Sequence, residues 1–279
     1  MTTSAVPTVG LTHGARMPQL GLGTWPMDDA TCERVVATAI ETGYRMVDTA
    51  ENYENERGVG RGLRASGVSR EQLFVTSKFN KEWHSAKGAR QACEASLDRL
   101  GLEYLDLLLI HWPNPAQDRY VEAFHGLLAL LHEGLLRAVG TSNFAPRHLQ
   151  RVIDETGEAP DVNQIQVSPY IGQEQGRAFA AQHGIVVQSW SPLGRGSELQ
   201  SERVVSELAQ RYERTPAQIV LRWHIEVGLV PIPKSANPHR LRENLGVLHF
   251  ALAADDVARL SALDRGDQLA RPDPETFGH

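Results

Sequence analysis

The sequence predicts an α/β fold, a (β/α)8 barrel, on three observations. Eight short apolar runs alternate with amphipathic helical stretches, at spacings near the ~30 residues of one β-α-β unit. The runs are continuously apolar, as in Leu107-Leu108-Leu109-Ile110, which suits strands buried on both faces of a parallel sheet. The length, 279 residues, fits a barrel that runs to ~250 residues as one unit. An open doubly wound sheet is the competing arrangement, and for a nucleotide it calls for G-x-G-x-x-G straight after the first strand. Here Gly21-Leu22-Gly23-Thr24-Trp25 lacks the third glycine. Gly58-Val59-Gly60-Arg61-Gly62 falls inside a helical stretch, where it suits a helix packed closely on the sheet.

In chain order, residues 8–20 alternate around a Gly turn and predict a hairpin. The strands are expected at Leu20–Gly23, Arg45–Asp48, Leu73–Lys78, Leu105–His111, Ala138–Ser142, Val162–Gln166, Ile185–Trp190 and Leu229–Pro233. A helix begins near Glu54. Ser85 caps another that Gly101 stops, and Pro146 opens one that Gly157 follows. Thr215-Pro216 and Asn237-Pro238 are N-cap and first-position pairs, closed by Gly228 and Gly246. The whole chain, 1–279, is expected to be one domain: hairpin 1–18, barrel 19–246, and a C-terminal helix and tail 247–279.

Composition narrows the function. Apolar residues make up 41% of the chain, enough for a large core, and the net charge of −6 argues against nucleic acid or an anionic membrane as partner. Cys32 and Cys93 both fall in helical patterns, so neither a disulfide framework nor a cysteine metal site is indicated. Met1 to Gly14 lacks a basic region and an apolar core, and no run approaches the ~18 apolar residues of a membrane span. A soluble, cytoplasmic monomer is expected.

In such a barrel the chemistry sits at the C-terminal strand ends. Those ends carry Trp25, Asp48, Lys78, His111, Ser142 with Asn143, Trp190 and Lys234. Each alone has a plain structural explanation, but an acid, a lysine and a histidine converging on one rim with Tyr53 do not.

Nearly end to end, the chain resembles the aldo-keto reductase family. The matching motifs are Gly43-Tyr44-Arg45-Met46-Val47-Asp48-Thr49-Ala50 with Tyr53 and Asn55-Glu56, Thr76-Ser77-Lys78, and Leu105 to Pro113. Further on come Gly140-Thr141-Ser142-Asn143-Phe144, Asn163-Gln164, Ser191-Pro192-Leu193-Gly194, and Ile232-Pro233-Lys234-Ser235 with Arg240 and Glu243-Asn244. Within the family it is most similar to the small microbial reductases of ketoacids and aldehydes, the 2,5-diketo-gluconate and aldehyde reductase type.

The resemblance implies carbonyl reduction with NADP(H), by hydride transfer and protonation. Tyr53 is then the general acid, Lys78 lowers its pKa, and Asp48 holds Lys78 charged and oriented. His111 hydrogen-bonds the carbonyl oxygen. No metal is required, and no H-x-H or H-E-x-x-H ligand pattern occurs. By the same resemblance Ser142, Asn143 and Gln164 bond the nicotinamide carboxamide, and Trp190 lies against the ring. Thr24, Ser191, Leu193 and Gly194 complete the cofactor path toward the pyrophosphate. Lys234, Ser235, Ala236, Arg240, Glu243 and Asn244 surround a helix start that suits an adenosine 2′-phosphate.

Two departures mark the substrate side. The family usually shows an aromatic two residues after the active-site lysine; here that position is Asn80, and Trp83 follows three residues later. Gln166 and Ser168 stand where the family often has an acid and a histidine. Trp25, Trp83 and Trp112 are expected as pocket walls with His111, and the tail from Arg265 to His279 as a lid. A small aldehyde or α-dicarbonyl fits those walls, rather than a long oligosaccharide or a bulky steroid. A non-catalytic NADP(H)-binding redox sensor on the same fold is the alternative, and a metal-dependent barrel hydrolase a weaker one.

Overall fold

Eight parallel strands form the sheet expected from the sequence. The computed structural model describes residues 6–266, 269 and 271–278. A hairpin of β1 (Thr8–Gly10) and β2 (Arg16–Pro18) precedes β3 (Leu22–Gly23), β4 (Met46–Asp48), β5 (Phe74–Phe79), β6 (Leu107–Ile110), β7 (Val139–Ser142), β8 (Val162–Gln166), β9 (Val186–Trp190) and β10 (Val230–Ile232). The last eight pair in sequence order, every pair parallel. The ends of the sheet meet: Gly21 N–H donates to the Pro231 carbonyl and Gly23 N–H to that of Pro233, both at 3.1 Å. That closure makes it a barrel.

The outer layer comprises α1 (Asp29–Thr42), α2 (Glu56–Ala65), α3 (Ala86–Leu100), α4 (Tyr120–His132), α5 (Pro146–Thr156), α6 (Glu174–Gln182), α7 (Arg203–Tyr212), α8 (Pro216–Glu226), α9 (Pro238–Leu245) and α10 (Ala254–Ser261). Among these helices, none is long and apolar enough to cross a membrane. The expected caps form: the Ser85 side chain accepts from Gly88 N–H, Thr215 from Gln218 N–H, and Asn237 from His239 and Arg240 N–H. Gly101 and Gly157 end their helices in the left-handed region. Gly246 keeps a right-handed conformation, and the chain continues into a 3-10 turn at Gly246–His249.

The glycine cluster in α2 serves a different contact from the one expected. A methyl group at Gly58 would overlap the Asp29 carbonyl, and one at Gly60 the carbonyl of Leu100. The close approach is therefore to α1 and α3, not to the sheet. Helix α2 itself starts at Glu56, because Glu54 before it takes a left-handed turn (φ 55°).

Inside the barrel, strand alternation sorts the chemistry by height. Met46, Phe74, Leu107, Leu109, Val162 and Val230 form an apolar cluster with Leu11 and Met17 of the hairpin, which seals one end. Moving two or four residues along the same strands gives Asp48, Lys78, His111 and Gln164, on the same face at the other end. The site thus sits on a sealed apolar floor.

Candidate active site

The loop after β4 is held from beneath before it reaches the site. Asn55 is fully buried; its amide donates to the carbonyls of Met27 (2.8 Å) and Thr24 (3.3 Å) and accepts from the Thr49 hydroxyl at 2.8 Å. Glu56 accepts from Ser77 Oγ at 2.6 Å and from Arg99 Nε at 2.5 Å. These two motif residues tie the loop that carries Tyr53 to the neighbouring chain, Asn55 to the segment after β3 and Glu56 to β5 and α3.

Four side chains then converge. Lys78, fully buried, donates from Nζ to Asp48 Oδ2 at 2.7 Å, to the Thr49 carbonyl at 2.9 Å and to the Tyr53 hydroxyl at 3.4 Å. The His111 ring stands edge-on to Tyr53, with centroids 6.0 Å apart. Burial draws the Lys78 pKa down, but Asp48 and Tyr53 together raise it above its ordinary value, so the ammonium stays charged. For Tyr53, burial raises the phenol pKa and outweighs the lowering by Lys78. The sequence expectation of a net lowering is reversed here, because a buried phenolate loses more hydration than one ammonium returns. The phenol therefore keeps its proton.

These groups open into a cleft of about 540 Å³ at the C-terminal strand ends. Thr24, Trp25, Trp112, Ser142, Asn143, Gln164, Trp190, Ser191 and Lys234 line it along with Asp48, Tyr53 and His111. Asn143, in a left-handed turn (φ 63°), ties one wall together. Its amide nitrogen donates to the His111 carbonyl (3.1 Å) and to Ser142 Oγ (3.0 Å), and its oxygen accepts the Trp190 indole N–H at 2.9 Å. The Gln164 amide donates to Asp48 Oδ1 at 2.7 Å and to Gln188 Oε1 at 3.0 Å. Thr24 Oγ1 donates to the Asp48 carbonyl at 3.0 Å.

A dinucleotide phosphate fits this donor set. One end of the cleft presents the half-buried Trp190 beside Ser142, Asn143 and Gln164. The other presents the exposed Lys234 amine, followed by Ser235, whose Oγ accepts from Asn237 N–H at 3.2 Å at the start of α9. Arg240 is exposed in the first turn of that helix, and Ala236 is exposed before it. Asn244 is buried beneath, and the partly buried Glu243 lies 3.3 Å from the His239 ring. Leu193 and Gly194 form the loop between Ser191 and Arg195, with Gly194 in the left-handed region (φ 73°). Cations and helix N–H groups at one end and a flat aromatic at the other match the two ends of such a molecule.

The tryptophans divide. Trp25 is 42% exposed at the rim, with the Arg195 guanidinium 4.4 Å above its ring. Trp112 is buried, and Phe277 of the C-terminal segment meets it at 4.7 Å. Trp83, expected as a wall, is not among the cleft-lining residues. Its indole N–H donates to Glu51 Oε2 at 3.0 Å, and it faces a separate depression with Glu82 and Arg99. The short 3-10 turn Lys81–Trp83 directs it outward. Of the tail expected as a lid, Pro272 and Phe277 line the cleft, and Glu275 is anchored on α5 by Arg147 and His148. Asp267, Gln268, Ala270 and His279 lie outside the described residues.

Sequence reasoning also missed residues that build the site. His224 in α8 accepts from Ser189 Oγ or donates to it at 2.9 Å through Nδ1, and its Nε2 lies 3.1 Å from the Pro192 carbonyl. It therefore pins the segment carrying Trp190 and Ser191. A histidine within an apolar helical face was the only signal. Gln188, a polar residue at an inward position of β9, was equally visible and was passed over.

Residues 17–265 match the model of the aldo/keto reductase family. The chain is 48% identical to a methylglyoxal reductase DkgA of Yersinia pestis, over 98% of each chain. It is 47% identical to a 2,5-diketo-D-gluconic acid reductase B of a Corynebacterium species, over 97% of this chain and 98% of that one. Among solved structures, a mutant of Gox0644 in complex with NADPH superposes with a TM-score of 0.93 at 41% identity, covering 98% of this chain and 99% of that one.

Proposed function

The chain belongs to the aldo/keto reductase family, and from that premise we propose that it uses NADPH to reduce a small aldehyde or α-dicarbonyl to the alcohol, with Tyr53 as general acid. It is an NADP-dependent oxidoreductase. One observation carries the mechanism: the Lys78 ammonium stands between the Asp48 carboxylate and the Tyr53 hydroxyl, at 2.7 and 3.4 Å.

NADPH supplies the hydride that adds to the carbonyl carbon. As negative charge grows on the carbonyl oxygen, Tyr53 gives it the phenolic proton, completing the alcohol. Lys78 stabilises the phenolate left behind until it regains a proton from solvent. Asp48 keeps Lys78 charged and aimed, and Gln164 occupies the carboxylate oxygen that Lys78 does not use. His111, edge-on to Tyr53, orients the substrate oxygen. The cleft, bounded by Trp25, Trp112 and Phe277, supports a small substrate with flat or apolar parts. Two relatives are named for compounds of this kind, methylglyoxal and 2,5-diketo-D-gluconic acid.

The test is NADPH consumption across aldehydes, 2-ketoacids, diketones and keto-sugars. Turnover is expected to be strongest for small α-dicarbonyls and aldehydes. NADPH binding with no turnover of any member would contradict the proposal and favour a non-catalytic cofactor-binding role.

A further inference from the structure

Parallel pairing of β8 with β9 sets Gln188 beside Gln164, as direct Cα partners on the same face of the barrel. Gln164 lines the cleft, whereas Gln188 is fully buried and lies beneath the lining residues. Below Gln188 is the apolar floor: its side-chain nitrogen stands 3.0 Å from Met17 Sδ and 3.5 Å from Met46 Sδ. Thioether sulfurs are weak acceptors, and burying an amide among them without a stronger partner is costly. The stronger partner is above: Gln188 Oε1 accepts from Gln164 Nε2 at 3.0 Å.

The direction of each contact follows from the upper end. The Asp48 carboxylate only accepts, so Gln164 must turn its nitrogen toward Oδ1, 2.7 Å away. The second N–H on that nitrogen meets Gln188, which must therefore turn its oxygen upward and its own nitrogen to the sulfurs. With both N–H groups committed, the polar atom that Gln164 has left for the cleft is Oε1, an acceptor. The Asp48 contact alone would hold one N–H and leave the amide plane free to swing; the Gln188 contact removes that freedom. Resting on the reading of Gln164 as a carboxamide-binding residue, we propose that Gln188 is a positioning residue that fixes the Gln164 amide with its oxygen toward the cleft, so that the site selects the carboxamide N–H2 of the nicotinamide. The floor of the barrel thereby sets how the head of the cofactor is recognised.

The probe is the acetylpyridine analogue of NADPH, in which a methyl group replaces the carboxamide N–H2. By fluorescence titration the wild-type protein should bind NADPH about tenfold more tightly than the analogue, the worth of one hydrogen bond. Gln188→Met keeps the side-chain length but offers no acceptor. The preference should then fall below about twofold, through weaker NADPH binding with the analogue unchanged. Gln188→Glu, ionised or neutral, still offers an oxygen and should keep the preference. A Gln188→Met protein with the wild-type preference overturns the proposal, and so does loss of the preference in both variants. Nitrogen-15 spectra of the Gln164 side-chain amide, assigned by its loss in Gln164→Met, give a reading without cofactor. One of its two protons should shift upfield in Gln188→Met and hold in Gln188→Glu. If the wild type does not separate the two cofactors, the carboxamide reading of Gln164 fails on its own. The spectra then decide the positioning role, and two unchanged protons in Gln188→Met overturn it.

Discussion

Gln164 donates its amide to Asp48 Oδ1 at 2.7 Å, the oxygen opposite the one that receives Lys78. Both carboxylate oxygens are therefore committed, and the buried Lys78–Asp48 pair has little freedom to rearrange. Asp48→Asn leaves a buried ammonium without its counter-charge and should lower stability by about 3–5 kcal/mol. Asp48→Asn combined with Lys78→Met should recover much of that loss. Urea denaturation of the single and double variants measures it; additive losses would mean the two charges do not act as a pair.

His224 predicts acid lability. Burial pushes its pKa down to about 3, against ~6.5 for an unfolded histidine. The folded chain then binds fewer protons than the unfolded one, so stability is present above pH ~6.5 and is lost as pH falls toward 3. At pH 5 the loss from this residue should be about 2 kcal/mol relative to pH 7. His84, pushed down to about 4 by burial, acts in the same direction. Denaturation midpoints at pH 7, 6 and 5 check this, and His224→Gln should show a shallower pH slope. Equal slopes would remove His224 as the source.

The tryptophans give a paired test of the pocket. Trp25→Ala should raise KM for aromatic aldehydes several-fold, about 1–2 kcal/mol from lost burial, with less effect on methylglyoxal-sized compounds. Trp83→Ala should leave both within about twofold, because its ring lies outside the cleft. The reverse ranking would put Trp83 back in the pocket.

Cofactor choice rests on the start of α9. Arg240→Ala should weaken NADPH binding by about 10- to 100-fold, the range for a charge-assisted hydrogen bond, and barely alter NADH. Titration of protein fluorescence with each cofactor measures both. Equal losses would mean that Arg240 does not read the 2′-phosphate.

The barrel was legible because its signals are periodic and local. Apolar runs, caps such as Ser85 and Thr215, and stops such as Gly101 each report on a few neighbouring residues, and the structure keeps them. Asp48, Lys78 and His111 were legible for a related reason, since a strand end specifies both height and face. Three-dimensional partnership was not. Nothing local to Gly58 or Gly60 says which neighbour approaches, and Trp83 turns outward because Glu51, on another strand's loop, accepts its indole. The net pKa of Tyr53 likewise depends on how completely the loop buries it, which the pairing of Tyr with Lys does not reveal.

The central claim, that Tyr53 delivers the proton in NADPH-dependent carbonyl reduction, is tested most directly by Tyr53→Phe. The ring and its packing remain, so NADPH binding by fluorescence titration should be unchanged. Turnover of a small α-dicarbonyl should fall by about 10²–10⁴-fold, the contribution of a positioned general acid. A variant that binds NADPH and still reduces the substrate at a rate near wild type would contradict the account.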